Sequence, residues 1–385
     1  MRVLVTGGAG FIGSFLVDRL VGLGHDIRIL DSLDVQVHPG GRPAHLAPAA
    51  ELVVGDVRDR RRCAEALDGV DAVVHAGAAV GVAQSLYRVE HFVDVNVKGT
   101  ATLLECLRER PAPRPRLVVP SSMTGYGEGV YRRPSDGRLL RVAIRSEADV
   151  RQRGWEPVCP ATGERLVPAP TPEDSALLAR NVYALTKRYQ EELALAVGAV
   201  HGFPVVCLRL FNVYGPRQSL GNPYTGVLAI FLSRLLAGER PVVYEDGGQT
   251  RDFVSVHDVV DAIVAALAAE AAGGQVINIG RGVPRSIGDL ARMLARLVGR
   301  EDLPPQITEQ FRLGDVRHCT ADTARARRLL GVAPRVPFED GVAELVAWAR
   351  SADRADRFGQ ADGELRRYGL LAPGRAAEGP GGAGR

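Results

Sequence analysis

Short apolar runs alternate with segments of helical spacing over roughly the first 210 residues. The runs are Val3–Val5, Ile27–Leu30, Leu52–Val54, Ala72–His75, Leu117–Val119 and Val205–Leu208. They are brief and apolar on both sides, as strands buried on two faces are. Between them Phe11–Leu23, Arg60–Leu67, His91–Arg108 and about Val182–His201 repeat their apolar positions every three or four residues. The alternation predicts an α/β chain with a Rossmann-type, doubly wound parallel sheet covered by helices. From about Pro216 the pattern loosens into helix, short strand and loop. This predicts a smaller C-terminal α/β domain over the carboxyl ends of the strands, where ligands of such sheets bind.

The resulting division is a first domain over 1–215, a substrate-binding domain over 216–352 with substrate residues drawn from both, and a tail over 353–385. From about Ala372 the tail is Gly, Ala, Pro and Arg, and is expected to be disordered. One stretch breaks the alternation. Between Tyr126 and Asn181 there is little periodicity, so an insertion is expected at about 128–180. A segment this long is a lid, a binding insertion or a small subdomain. No internal repeat is visible.

Composition narrows the class. The 385 residues are 46% apolar, enough for two joined domains. The net charge of +3 comes from dispersed Arg, with no basic stripe interleaved with aromatics, which argues against a nucleic-acid partner. Five scattered cysteines point to a reducing compartment without disulfides. No leader-like segment and no apolar run of about 18 residues is present, so a soluble, cytoplasmic chain without a membrane partner is expected.

Two constellations carry chemistry. Gly7-Gly-Ala-Gly10-Phe11-Ile12-Gly13 lies between the first strand and the first helix. Glycines there let the backbone approach a pyrophosphate, and the helix N-terminus offers unpaired N–H groups. With 44 glycines in the chain the spacing is weak by itself, and its placement is what raises it above a plain tight turn. Asp31 ends the second strand, where a carboxylate accepts both ribose hydroxyls and repels a 2′-phosphate; NAD is favoured over NADP. Asp56 and Val57 follow the third strand, facing the adenine position, although Asp56 would serve equally as a helix N-cap. Ala76 and Ala78 supply small residues after the fourth strand, and Asn96 suits a structural bridge better than a ligand contact. Arg28 runs along its strand and is not counted as a phosphate partner. The second constellation is Tyr183-x-x-x-Lys187, two residues sharing one helix face. Only Lys98 and Lys187 are Lys among 48 basic residues, so a compact ammonium four residues after Tyr183 stands out. An ammonium beside a phenol favours phenolate, which can act as a base.

Gly7–Gly13, Asp31, Asp56, Asn96, Ser121-Ser122 and Tyr183-x-x-x-Lys187 together resemble an extended short-chain dehydrogenase/reductase of the NAD-dependent epimerase/dehydratase class, over about residues 1–350. Within it the chain is most similar to the dTDP-L-rhamnose 4-epimerases. The stretches carrying that similarity are Ser32–His38, Ala78–Ser85, Ser121–Gly129, Phe211–Gln218, Asn222–Gly226 and Gln249–Val254. The resemblance implies inversion at C4 of a nucleotide-diphosphate sugar through a 4-keto sugar. Tyr183 would take the hydroxyl proton while C4 gives hydride to NAD. Lys187 would lower the Tyr183 pKa and bond the nicotinamide ribose. Ser122 would hold the 4-oxygen, with Thr124 assisting. Asn212, Arg251 and Arg312 would bind the diphosphate.

Dehydratases of the class carry an Asp-Glu pair where this chain has Met123 and Thr124, and uronate decarboxylases carry Glu at the Thr124 position. Neither Met nor Thr does acid–base work. The alternatives left open are a UDP-glucose or uronate 4-epimerase, or a dehydratase, decarboxylase or reductase of the same class. Similar epimerases have two Cys-x-x-Cys-Gly knuckles in the insertion; here the positions hold Arg133, Asp136, Cys159 and Thr162. With three of four thiolates missing, no metal is expected and the lid should be held by packing alone. The class also implies a homodimer through the His91–Arg108 and Val182–His201 helices.

Overall fold

The computed structural model describes residues 1–222, Tyr224, 226–352 and 356–373. In chain order its strands are β1 (Arg2–Thr6), β2 (Asp26–Asp31), β3 (Glu51–Val54), β4 (Ala72–His75), β5 (Arg116–Ser122), β6 (Val130–Arg132), β7 (Leu139–Arg141), β8 (Val167–Thr171), β9 (Val205–Leu210), β10 (Asn212–Tyr214), β11 (Val242–Val243), β12 (Thr250–Ser255), β13 (Gln275–Ile279), β14 (Pro284–Ser286), β15 (Gln306–Ile307), β16 (Phe311–Arg312), β17 (His318–Ala321) and β18 (Leu371–Ala372). The helices are α1 (Phe11–Gly22), α2 (Arg60–Ala66), α3 (Val82–Ser85), α4 (Val89–Phe92), α5 (Gly99–Glu109), α6 (Glu147–Arg153), α7 (Val182–His201), α8 (Val227–Leu236), α9 (Val256–Ala268), α10 (Ile287–Val298), α11 (Ala324–Leu330), α12 (Phe338–Ser351) and α13 (Phe358–Arg367).

The first sheet is parallel throughout, in the order β3-β2-β1-β4-β5-β9-β13. Successive side chains of a strand point to opposite faces, and both faces here are buried. Val3 and Val5 join the core formed with Leu16, Val17 and Ile263, while Leu4 joins the core formed with Leu103, Leu107 and Ala66. Each fully buried Val, Leu or Ile contributes about 1.5–3 kcal/mol. That two-sided burial is why the runs read as continuous apolar blocks.

Chain order and spatial order part company after residue 215. β13 lies beside β9 and α9 packs on α1, so the second half of the chain completes the first layer. α11 packs there too, through Ala326 and Leu330, while α8, α10 and α12 form the core of a second lobe. Its sheet has the order β10-β12-β17-β8-β6-β7, with β14 on β12.

The insertion is not the structureless stretch its sequence suggests. β6, β7 and β8 add three strands to the substrate-lobe sheet, β8 pairing with β17 through Thr320↔Pro170 and Ala321↔Thr171. Nor is packing alone what holds it. Arg133 and Asp136 form an ion pair, and Arg133 Nη1 lies 3.7 Å from Cys159 Sγ. Glu164 accepts from the Ser135 backbone at 2.9 Å and from its hydroxyl at 2.6 Å. Deeper in, Arg145 pairs with Glu245 at 2.9 Å, and Arg317 pairs with Glu245 at 2.7 Å and Glu156 at 2.6 Å. Arg145, Arg317 and Glu245 are all buried. Buried pairs fix register more than they add stability, and this cluster sets the insertion against the substrate lobe.

The region read as a tail also folds in part. α13 and β18 lie within it, and β18 pairs antiparallel with β16. Residues 374–385, on which the expectation of disorder falls, lie outside the described residues. The segment read as one helix from His91 to Arg108 runs as α4, a π-helical turn over Val93–Lys98, and α5.

Candidate active site

α7 carries the Tyr–Lys pair, and both of its ends are marked in the sequence. Asn181 caps it, its side chain accepting from the Ala184 N–H at 2.8 Å, and Gly202 ends it at φ 71°, a left-handed conformation that glycine adopts without strain. The Tyr183 N–H, another orphan of the first turn, donates to Ser85 Oγ at 3.0 Å. The start of the helix is thereby tied to the segment after β4.

Tyr183 is half-buried. Loss of solvent pushes its phenol up to about 12, and the neighbouring Ser122 hydroxyl works in the lowering direction. Ser122 ends β5, and its oxygen accepts from the Thr124 N–H at 3.2 Å and the Thr124 hydroxyl at 2.9 Å. Thr124 thus fills the acceptor sites of the Ser122 oxygen and leaves its proton to donate elsewhere. Lys187 is buried and donates from Nζ to the Pro120 carbonyl at 2.7 Å. Burial pulls its ammonium down to about 8. In this conformation the influence lowering Tyr183 comes from Ser122, and Lys187 is engaged at Pro120, two residues back along β5. Met123, where a dehydratase would place an acid, is buried against Tyr126 and Phe211.

The glycine turn is shaped for a close approach. Gly7 has φ 68°, and a Cβ there would sit 2.7 Å from the Gly77 backbone nitrogen. A Cβ on Gly13 would meet the Gly7 carbonyl at 2.2 Å. Gly10 stands at the cap of α1 with no side-chain cap, which leaves first-turn N–H groups at Phe11 and Ile12 for anionic oxygens. Asp31 is held at the strand end, its two oxygens accepting from the Ala9 N–H at 3.0 Å and the Leu33 N–H at 2.9 Å. These residues fit a dinucleotide.

Asp56 does not cap α2; Asp59 does. The Asp56 carboxylate is held instead by Arg58, which also reaches Asp94. Val57 is buried beneath it. Ala76 and Ala78 line the partly exposed turn after β4. Asn96, fully buried in the π-helical turn, accepts from the Ala79 N–H at 2.7 Å and donates to the Ala79 carbonyl and to Thr186, each at 3.0 Å. It ties the β4 segment to the Tyr–Lys helix and so acts as a bridge.

The substrate-lobe candidates converge on a carboxylate that sequence reasoning missed. Arg251 and Arg312 both bind Asp315, at 3.0 and 2.6 Å. Burial works against the Asp315 charge, but the two guanidinium groups outweigh it and hold the carboxyl at about 2. Arg251 also donates to the carbonyls of Thr250, Val316 and Arg317. Arg312 lies over the Tyr244 ring at 5.6 Å. Asn212 has a buried side-chain oxygen with no partner among the described residues. An unpaired buried acceptor costs about 1–3 kcal/mol, a penalty a ligand's donor removes. The Arg312-x-x-Asp315 spacing was the available signal for Asp315. Ser85 had none, since its partner lies in another element.

The profile of the NAD-dependent epimerase/dehydratase family matches residues 3–145 and 159–280. The chain is 38% identical over 363 residues to a dTDP-L-rhamnose 4-epimerase of Burkholderia thailandensis, covering 92% of this chain and 96% of that one. Its fold is similar to a UDP-glucose 4-epimerase of Thermotoga maritima solved with UDP-glucose, at a TM-score of 0.74, 29% identity and coverage of 91% and 99%. It is likewise similar to a UDP-glucose 4-epimerase of Thermus thermophilus in complex with NAD, at a TM-score of 0.72, 27% identity and coverage of 92% and 100%.

Proposed function

Since the chain belongs to the NAD-dependent epimerase/dehydratase family and acts as a nucleotide-sugar epimerase, we propose that it inverts C4 of a dTDP- or UDP-hexose through a transient 4-keto sugar. The first candidate substrate is dTDP-L-rhamnose, giving dTDP-6-deoxy-L-talose. The observation that carries this reading is the Thr124–Ser122 hydroxyl pair at the end of β5, beside Tyr183, with Met123 packed away from it. Such a site moves one proton and has no side-chain acid at positions 123 and 124 for elimination or decarboxylation.

Gly7, Gly10 and Gly13 with the α1 N-terminus would hold the NAD pyrophosphate, and Asp31 the adenosine ribose. When bound, NAD supplies the two-electron acceptance and return that passage through a ketone requires. Tyr183 takes the 4-hydroxyl proton and gives it back. Ser122, its oxygen held by Thr124, binds the 4-oxygen in both directions. Arg251, Arg312 and Asn212 fix the diphosphate, so the binding energy sits away from the sugar and the keto form is free to turn its other face.

Val89, Val93, Leu185 and Tyr189 are exposed on the α4–α5 and α7 helices, which supports a homodimer through that face. No described helix is long and apolar enough to cross a membrane. All five cysteines are free and buried, which fits the cytoplasm.

The deciding experiment incubates the purified protein with a panel of nucleotide sugars and no added NAD, reading C4 configuration by NMR. The expected result is an equilibrium mixture of two C4 epimers from a dTDP- or UDP-hexose with no lasting NADH absorbance. Stoichiometric NADH release would overturn the proposal.

A further inference from the structure

One carboxylate joins the two lobes from outside both. Glu364, in α13, receives hydrogen bonds on the same oxygen from the hydroxyls of Tyr87 and Tyr224. Tyr87 follows β4 and is two residues from Ser85, which holds the Tyr183 N–H. Tyr224 precedes α8 in the substrate lobe. The two segments approach closely: a Cβ on Gly81, which has φ 141°, would sit 3.1 Å from the Tyr224 Cβ.

The rest of α13 repeats the pattern. Tyr368 stacks on Tyr87 with centroids 4.5 Å apart and planes 10° apart. Asp362 accepts from the Tyr244 hydroxyl at 2.9 Å, and Arg366 reaches Gln310 at 3.3 Å. β18 then pairs Leu371 with Arg312, so the segment also supports the strand carrying a candidate diphosphate ligand. Beneath it lies a cavity of about 290 Å³, whose walls include Gln84 and Tyr87 from the first lobe, Asn222 and Tyr224 from the second, and Glu364.

Tyr244 and Arg312 thus meet each other and this C-terminal segment, and Tyr87 meets the segment two residues from Ser85. We propose that α13 and β18 form a strap closing the nucleotide-sugar cleft, and that Glu364 is its positioning residue, latching Tyr87 of one lobe to Tyr224 of the other. The assignment of what lies under the strap rests on the nucleotide-sugar reading above; the latch itself does not. Because the strap bears on binding and touches none of the proton-transfer groups, loosening it raises KM and leaves the chemical step alone.

The test combines amide hydrogen exchange of residues 358–367 with steady-state kinetics on the full-length protein. Glu364→Ala is expected to speed exchange in α13 at least about tenfold and to raise KM by about tenfold, with kcat within about twofold. Glu364→Gln keeps an acceptor oxygen and recovers most of both. Tyr87→Phe combined with Tyr224→Phe reproduces the Ala result without touching α13. UDP or dTDP slows α13 exchange in the unmodified protein. The strap is refuted if Glu364→Ala leaves exchange and KM unchanged, or if kcat falls while KM holds. Should the unmodified protein turn over no nucleotide sugar, the functional reading fails alone, and exchange in Glu364→Ala still decides the latch.

Discussion

Ser122 has the most to say about how the base works. Its acceptor sites are filled by Thr124, and its hydroxyl works to lower the Tyr183 pKa. Removing that hydroxyl lets burial act on the phenol unopposed, so Ser122→Ala should move the rise of kcat/KM to higher pH; a pH–rate profile unchanged in position would contradict this. His75 makes a second prediction. Fully buried between Thr6, Thr100 and Gln190, it is pushed down to about 3 by burial and then by the Lys187 charge. Its folded pKa lies below the unfolded 6.5, so its contribution is present above pH 6.5 and is lost as pH falls toward 3. At pH 5 the loss is about 2 kcal/mol. Urea denaturation across pH 5–7 should show that slope, and His75→Asn should remove it. Tyr183, Lys187 and the glycine turn stood out because their signals are local, within seven residues of sequence, whereas Ser122 stood out only through the family resemblance. Ser85 and Glu364 did not, since what makes each of them matter lies far off in the chain; Tyr87 and Glu364 are 277 residues apart.

Elements differ in the same way. α7 is legible from Val182 to His201, because Asn181 and Gly202 mark both ends and its buried face repeats through Ala184, Lys187, Glu191 and Ala194. The insertion was illegible because β6 and β7 have three residues each, too few for a period, and because its partners Glu245 and Arg317 sit in the substrate lobe. The π-helical turn was hidden for another reason: one extra residue in a turn leaves the apolar spacing nearly intact while it swings Asn96 inward. At the knuckle, Arg133 and Asp136 make an ion pair where similar epimerases have thiolates. Burial opposes the Cys159 thiolate, yet the Thr162 hydroxyl leads the bonds that bring it down to about 7. Dialysis against EDTA is expected to leave the melting temperature unchanged. A drop in Tm with release of one zinc per chain would refute the metal-free insertion.

At the scale of the molecule, the chain crosses between lobes repeatedly: β13 returns to the first sheet, β8 joins the second, and α13 touches both. Length and alternation predicted two lobes; no local pattern encodes where the chain passes from one to the other. Val89, Val93, Leu185 and Tyr189 are exposed, and the proposed homodimer would bury them. Leu185→Asp with Tyr189→Asp should convert a dimer to a monomer in sedimentation velocity, and a species of unchanged mass would exclude that face.

The burial of Lys187 reaches beyond the reaction. Of the two side-chain amines, the Lys98 side chain is 65% exposed and Lys187 is 5% exposed. An amine-reactive tag therefore finds one lysine on the folded protein, and immobilisation through lysine holds every molecule in a single orientation. A second lysine tag, read as a mass increment, records that the molecule has opened around α7, so the protein carries its own covalent clock of unfolding.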